Sequence, residues 1–127
     1  MKFWGKVRRY NQRGKKLGFP TANINLRKNI PEGIYISKTK LENKSYPSLT
    51  FIGTAKTFNE KNIHAESFIL DFNKNIYGKW ISVELLKRIR SNKKFDTVEN
   101  LIKQMKKDEL LARKYFTKFR QVYPHVM

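Results

Sequence analysis

Two neutral oxygen-bearing side chains lie close together near the N-terminus, Thr21 and Asn23 in the segment LGFPTAN of residues 17–23. Residues two apart in an extended chain point to the same side, so we expect the hydroxyl and the amide to face one way. Such oxygens bind a divalent cation weakly by themselves, but they suit Mg²⁺ when substrate phosphates supply the negative ligands. The pair indicates a candidate Mg²⁺–nucleotide site, with ordinary turn residues as the alternative.

A glycine-rich basic loop, RGKKLG, comes directly before this pair and contains Arg13, Gly14, Lys15, Lys16 and Gly18. Glycine lets backbone N–H groups approach an anion closely, and the neighbouring cations add positive charge. The loop does not match a Walker A motif, because no Gly-Lys-Ser/Thr follows. It predicts either a phosphate-binding loop or a surface hairpin.

A single acid, Glu66, lies within the apolar segment IHAESFILDF. Alternation along a strand places it on one face with His64, Phe68, Leu70 and Phe72. An unpaired carboxylate among large apolar side chains is costly. Glu66 therefore either has a buried partner such as an arginine or is a functional acid with a tuned pKa.

Arg90 and Phe95 are the first and last residues of the segment RSNKKF at the end of the last predicted strand. An arginine and an aromatic ring at a barrel mouth can hold a planar ligand by stacking and hydrogen bonds. Phe95 also suits the hydrophobic staple that precedes a helix cap. Both readings of Phe95 are open at this stage.

The elements that must position these residues are six short strands followed by one helix. Turn-formers separate the strand candidates, and this punctuation predicts a closed or nearly closed antiparallel barrel. Asp96 and Glu99 form a capping-box pattern, and apolar residues then recur with helical spacing. The strand candidates are Phe3–Arg9, Phe19–Asn25, Gly33–Lys40, Ser48–Gly53, Ile63–Phe72 and Trp80–Ile89. We predict one domain over residues 1–127, with the barrel in about 1–90 and the helix in about 96–120.

Composition limits the classes of function that are open to the chain. Cysteine is absent, which excludes disulfides and thiolate metal sites. The sequence contains neither a signal-peptide pattern nor a long apolar run, so the prediction is a cytoplasmic protein without a membrane partner. The net charge of +18 would attract polyanions, or it is simply a solvated lysine-rich surface.

An ordered series of segments resembles the bacterial and eukaryotic riboflavin kinases: RGKKLGFPTANI, PEGIY, FIGTAKTF, ESFILDF, IYG, RIR with KFD, and LIKQMKKDELLARKYF. The resemblance covers about residues 5–116. It implies a mainly β protein, a six-stranded antiparallel Greek-key barrel with a C-terminal α-helix. It also implies transfer of the γ-phosphate of ATP to the 5′-hydroxyl of riboflavin, giving FMN and ADP.

The same resemblance implies roles for individual residues. Thr21 and Asn23 match the family's PTAN motif, which coordinates Mg²⁺ together with the nucleotide phosphates. Glu66 matches the catalytic glutamate that accepts the proton of the ribityl hydroxyl. The remaining matches are the loop of residues 13–18, which would close over the nucleotide, Ile69, Asp71 and Tyr77 at the nucleotide pocket, and Arg90 near the flavin, where Phe95 is the candidate aromatic.

Two departures from the family pattern stand out: Tyr10 replaces a glycine, and Lys56 replaces the proline of an IGTxPT motif. These two replacements affect the expected geometry of the loops. They leave the residues expected to carry the chemistry, Thr21, Asn23, Glu66 and Arg90, in place. Because the chain starts almost on the first strand, the expectation is a stand-alone kinase domain like that of bacterial bifunctional riboflavin kinase/FAD synthetases, or one excised from a longer protein. The family resemblance implies a monomer. Nucleic acid is not the expected partner despite the net charge of +18. The alternatives to a kinase are a basic barrel that binds nucleic acid, which explains neither FPTAN nor Glu66, and a catalytically weakened flavin or nucleotide sensor.

Overall fold

The computed structural model describes residues 1–8, 21–54, 63–72 and 74–122. The chain forms two compact units, residues 1–92 and residues 93–127. The first unit contains the strands β1 (Lys2–Lys6), β2 (Ala22–Asn25), β3 (Gly33–Leu41), β4 (Lys44–Thr54), β5 (Ile63–Ile69) and β6 (Trp80–Arg90). The second contains one helix, α1 (Val98–Val122). The single-domain boundary of 1–127 stays a prediction.

The six strands form one antiparallel sheet in the order β1-β6-β3-β4-β5-β2. Strands β3, β4 and β5 follow one another as neighbours, and β6 returns beside β3, which is the Greek-key arrangement. The ends of the sheet meet just after β1, where the Arg8 N–H donates to the Asn23 carbonyl oxygen at 2.7 Å. The predicted fold class is therefore confirmed as a nearly closed barrel with a C-terminal helix.

Some strand boundaries differ from the prediction because a connection is shorter than the run of turn-forming residues indicated. The predicted LENKSYP turn is a two-residue connection, because Glu42 and Asn43 both have positive φ, 49° and 69°, and β4 already begins at Lys44. Paired positive φ values are typical of a hairpin turn that matches the twist of its strands. The first strand ends at Lys6 rather than Arg9, and β6 extends to Arg90.

The barrel interior is filled by aliphatic and aromatic side chains from all six strands and the adjoining loops. They alternate along each strand with outward-facing residues, as expected for a barrel whose strands have one buried face. The fully buried members include Phe3, Ile24, Ile30, Ile52, Ala65, Ile81 and Val83. This core holds β2 and β5, which carry Asn23 and Glu66, against the rest of the sheet.

A chain of buried hydroxyls also lies within the barrel and crosses three strands. Thr39, Ser48, Ser37, Thr50 and Ser67 are linked in that order by hydrogen bonds of 2.7–2.8 Å between side-chain oxygens. All five residues are fully buried. Because a buried hydroxyl without a partner is costly, this hydroxyl chain favours the observed pairing of β3, β4 and β5 over a shifted register.

The N-cap of helix α1 lies one residue later than the capping pattern in the sequence indicated. The Asn100 N–H donates to the Thr97 hydroxyl oxygen at 3.1 Å, so Thr97 is the cap and the predicted Asp96–Glu99 box is wrong. Asp108 is buried and accepts a hydrogen bond from the Gln104 amide at 3.1 Å. Within the described part of the chain, no helix combines the length and the apolar character needed to cross a bilayer.

Candidate functional site

Asn23 and Glu66 are directly opposite each other on the paired strands β2 and β5. Phe51 of β4 lies opposite Glu66 on its other side. The inward face at this position is taken by Ala22, Ala65 and their neighbours in the core, so the three side chains point away from the barrel interior. Sheet pairing thus places a buried amide, a carboxylate and an aromatic ring in one row across three strands.

Burial raises the pKa of the Glu66 carboxyl above its ordinary value of 4.5, because desolvation disfavours the charged form. His64, two residues earlier on the same strand face, has the opposite and smaller effect on that pKa. A carboxylate held in this way is a stronger proton acceptor than an exposed one. The sequence-based alternative of a tuned functional acid is favoured by this environment.

The apolar face predicted around Glu66 is shorter than expected. Strand β5 ends at Ile69, and Asp71 adopts a positive φ of 56°, which breaks the alternation. Phe72 consequently packs beside the barrel core and contacts the Tyr46 ring edge to face, with 5.1 Å between centroids. Leu70 and Phe72 therefore do not extend the strand face, and only His64, Glu66 and Phe68 share it.

Thr21 comes directly before β2, so its predicted place on the same side of the chain as Asn23 stays a prediction. Asn23 is only 6% exposed, and Thr21 is half-buried immediately before the strand. Ala22, the residue between them, pairs with Ser67 of β5. Among the described residues, no group of three His, Cys, Asp or Glu side chains could hold a metal ion. The donors present, one hydroxyl and one amide near a carboxylate, fit a cation whose other ligands are phosphate oxygens.

Arg90 belongs to the same transverse row as Glu66. It pairs with Ile34 of β3, which pairs with Phe51, which pairs with Glu66. Three strand spacings separate Arg90 and Glu66, roughly 14 Å along the sheet. The Arg90 guanidinium donates to the Ser91 carbonyl oxygen at 3.1 Å. Phe95 is half-buried in the second unit, so its predicted place beside Arg90 stays a prediction.

The three residues predicted for the nucleotide pocket differ in how far their side chains are accessible to a ligand. Ile69 is buried with its side chain in the barrel core, which leaves only its backbone for a ligand. Asp71 is exposed at the turn after β5. The Tyr77 side chain is also exposed. The backbone N–H of Tyr77 donates to the Asn75 side-chain oxygen at 3.0 Å.

Several predicted features lie outside the described residues. These are the loop residues Arg13, Gly14, Lys15, Lys16 and Gly18, together with the departures at Tyr10 and Lys56. Their assignments stay predictions.

Sequence reasoning missed the contact that orients the Phe51 ring. A Cβ on Gly53 would lie 2.6 Å from Phe51 Cζ and 3.2 Å from Asn92 Nδ2, so the ring and the amide occupy the space above this glycine. Asn92 also donates to the Ile52 carbonyl oxygen at 3.2 Å. The glycine of the FIGT segment was the available signal, because a strand glycine often marks a close approach of another group.

Known proteins resemble most of this chain in sequence. A protein-family model described as riboflavin kinase matches residues 1–116. A trifunctional protein RibF/MnmA of Mycoplasmoides gallisepticum is 41% identical over 90% of this chain and 18% of its own length. A bifunctional riboflavin kinase/FMN adenylyltransferase of Bacillus subtilis is 37% identical over 87% of this chain and 37% of its own length. The chain thus spans well under half the length of these curated relatives.

Two solved structures resemble the fold. A riboflavin kinase from Trypanosoma brucei superimposes with a TM-score of 0.66 and 27% identity, covering 92% of this chain and 80% of its own. A Streptococcus pneumoniae protein, titled a macrolide-efflux protein, superimposes with a TM-score of 0.81 and 36% identity over 88% of this chain and 38% of its own.

Proposed function

We propose that this chain, which belongs to the riboflavin kinase family, transfers the γ-phosphate of ATP to the 5′-hydroxyl of riboflavin and releases FMN and ADP. In this reaction the hydroxyl oxygen forms a bond to the γ-phosphorus, and the bond from that phosphorus to the β,γ-bridging oxygen breaks. The hydroxyl proton must leave during the transfer. Positioning and charge neutralisation supply most of the catalysis in reactions of this kind.

The observation that carries the proposal is the direct pairing of Asn23 with Glu66 across β2 and β5. A neutral metal ligand and a proton acceptor are the two groups that a hydroxyl-to-phosphate transfer needs side by side. The backbone of Asn23 is fixed on both sides, by Glu66 in β5 and by the bridge to Arg8. Catalytic groups on a paired strand are held more rigidly than groups on a loop.

Glu66 is proposed as the general base. Its carboxylate would accept the proton of the ribityl hydroxyl as the oxygen attacks, and burial makes it a better acceptor by raising its pKa. The carboxylate must be ionised to act, so the rate is expected to fall as the pH drops through this raised pKa. Phe51 lies opposite Glu66 on the neighbouring strand β4.

Thr21 and Asn23 are proposed to hold a divalent cation, which we propose to be Mg²⁺, together with the nucleotide phosphates. A divalent cation held there would supply positive charge that offsets the charge of the phosphates. Neither side chain adds negative charge, so the phosphates remain the anionic ligands. The loop of residues 13–18 and the segment with Ile69, Asp71 and Tyr77 are proposed to contact the nucleotide.

Arg90 is proposed to hold the flavin ring. Its place in the row of Glu66, roughly 14 Å away, suits a ligand whose ribityl chain reaches the carboxylate while its ring lies toward β6. Phe95 is proposed as the stacking partner of that ring. A monomeric state and a cytoplasmic location stay predictions, and no comparison favours nucleic-acid binding or flavin sensing in place of phosphoryl transfer.

The test is incubation of the purified chain with riboflavin, ATP and Mg²⁺, followed by chromatographic separation of flavins and nucleotides. FMN and ADP should form in equal amounts, and neither should form without the divalent cation. Formation of ADP without FMN would mean that riboflavin is not the acceptor. Flavin or nucleotide binding without any turnover would support the sensor instead.

The metal assignment is tested by comparing Asn23→Ala with Asn25→Ala, a variant of an exposed asparagine on the same strand. We expect Asn23→Ala to raise the Mg²⁺ concentration for half-maximal rate about tenfold, the effect of losing one interaction with a charged group. Asn25→Ala should leave it unchanged. Equal effects of the two substitutions would contradict the assignment.

A further inference from the structure

The two tryptophans of the chain, Trp4 and Trp80, are exposed by 61% and 68% on neighbouring strands. Trp4 pairs with Ser82 and Trp80 pairs with Lys6, so the two indoles are diagonal neighbours on the outward face of β1 and β6. Diagonal neighbours on an antiparallel pair lie roughly 7–8 Å apart. Large exposed aromatic surface of this kind is typical of a binding surface.

Lysines surround the two rings. The ammonium groups of Lys2 and Lys28 lie 5.8 Å and 5.7 Å from the Trp4 ring centroid, within cation–π range. We name these outward-facing residues the basic-aromatic face: Lys2, Trp4 and Lys6 of β1, Trp80, Ser82 and Glu84 of β6, Lys38 and Lys40 of β3, and Lys28. Within it, five lysines stand against one acid, Glu84.

The basic-aromatic face shares no residue with the proposed kinase site. It lies on β1, β6 and β3, whereas Asn23, Glu66 and Phe51 lie on β2, β5 and β4. Trp80 begins β6 and Arg90 ends it, so about 33 Å of strand lies between them. Phosphoryl transfer therefore gives no reason for two exposed indoles at this position.

We propose that the basic-aromatic face binds single-stranded nucleic acid. Aromatic rings on a sheet surface accept stacked bases, and every base offers a π-face, so such binding tolerates many sequences. The lysines beside Trp4 stand where the phosphates of a stacked nucleotide would pass, and their charge complements the backbone. A strand of bases engages both the rings and the ammonium groups, whereas an acidic peptide uses only the charges.

The two indoles also provide the assay, because both tryptophans of the chain lie on this face. An oligouridylate and an oligothymidylate of about 12 nucleotides are titrated against tryptophan emission and, with a fluorescein label, against anisotropy. An abasic oligomer of equal length supplies the same phosphates without bases. We expect the base-bearing oligomers to quench emission and to bind at least about tenfold tighter than the abasic one. Equal affinity of the abasic oligomer would overturn the proposal.

Variants separate stacking from charge. Trp4→Leu and Trp80→Leu should each weaken oligonucleotide binding about tenfold, and Trp4→Tyr should recover most of the loss by restoring a stacking ring. Unchanged affinity in both leucine variants would contradict the proposal. Thermal melting confirms that each variant is folded.

The charge arm compares two triple substitutions that remove the same number of charges. Replacing Lys2, Lys6 and Lys40 by alanine should weaken binding and reduce the slope of log affinity against log salt by about 2. Replacing the exposed helix residues Lys103, Lys106 and Lys107 by alanine should leave that slope unchanged. Equal effects would assign the binding to the net charge of the whole chain. A last titration uses vesicles of anionic phospholipid. Tighter binding to the vesicles than to the oligonucleotides would mean that the basic-aromatic face binds a membrane surface instead of nucleic acid.

Discussion

Gly5→Ala is expected to destabilise the barrel at the place where its first and second strands meet. A Cβ on Gly5 would lie 2.0 Å from Cγ2 and 3.3 Å from Cβ of Ile24. Nonbonded carbons normally approach to about 3.5–4.0 Å, so the added methyl overlaps the Ile24 side chain by about 1.5 Å. Ile24 is 1% exposed and belongs to the barrel core, so it has little room to move.

The cost follows from how the overlap can be relieved. Ile24 is β-branched and stiff at χ1, so β1 and β2 must separate or neighbouring core residues must shift. Overpacking of this size costs about 1–3 kcal/mol. That cost corresponds to a fall in melting temperature of about 4 °C for each kcal/mol in a chain of 127 residues. Because Ile24 follows Asn23, a displaced β2 should also lower turnover.

A double-mutant cycle in urea isolates the contact. Ile24→Ala alone creates a cavity and costs about 2–5 kcal/mol, but it also removes the Cγ2 atom that the new methyl would meet. The double variant should therefore lose less free energy of unfolding than the sum of the losses in the two single variants. Gly78→Ala is the control, since no atom lies within 4 Å of its Cβ and its cost arises from the positive φ of 83°. Additive effects for Gly5 and Ile24 would refute the reasoning.

Two further predictions concern buried polar groups. The pKa of Glu66 is raised from 4.5 in the folded chain, so this group's contribution to stability is lost as the pH rises from 4.5 through the raised pKa. The melting temperature of Glu66→Gln minus that of the wild type should therefore grow over this pH range. A difference that does not vary with pH would contradict the prediction. Thr50→Val removes hydrogen bonds of 2.7 Å and 2.8 Å to Ser37 and Ser67 and should cost about 1–3 kcal/mol in urea unfolding. The exposed Thr117→Val should cost far less, and equal costs would show that the hydroxyl chain adds no stability.

Local patterns predicted much of the fold. Turn-formers separated the six strands correctly, and helical spacing located α1 to within two residues at each end. These features depend on residues close together in the chain, where backbone geometry repeats with a fixed period.

What the sequence could not predict depends on contacts between distant residues. Nothing near Asn23 indicates that it pairs with Glu66, because register is decided by the packing of the whole sheet. The same holds for the juxtaposition of Trp4 and Trp80 on β1 and β6. Alternation also continued past the true end of β5, because apolar Leu70 and Phe72 fit the strand pattern although the chain turns at Asp71.

The most direct test of the proposed mechanism is the turnover of Glu66→Gln with saturating riboflavin, ATP and Mg²⁺. Glu84→Gln, which changes another half-buried glutamate of the barrel, is the matched control. We expect Glu66→Gln to retain riboflavin and nucleotide binding while its rate of FMN formation falls about 10²–10⁴-fold, the range for loss of a general base. Glu84→Gln should keep a rate near that of the wild type. Near-normal FMN formation by a folded Glu66→Gln variant would contradict the assignment of Glu66 as the base.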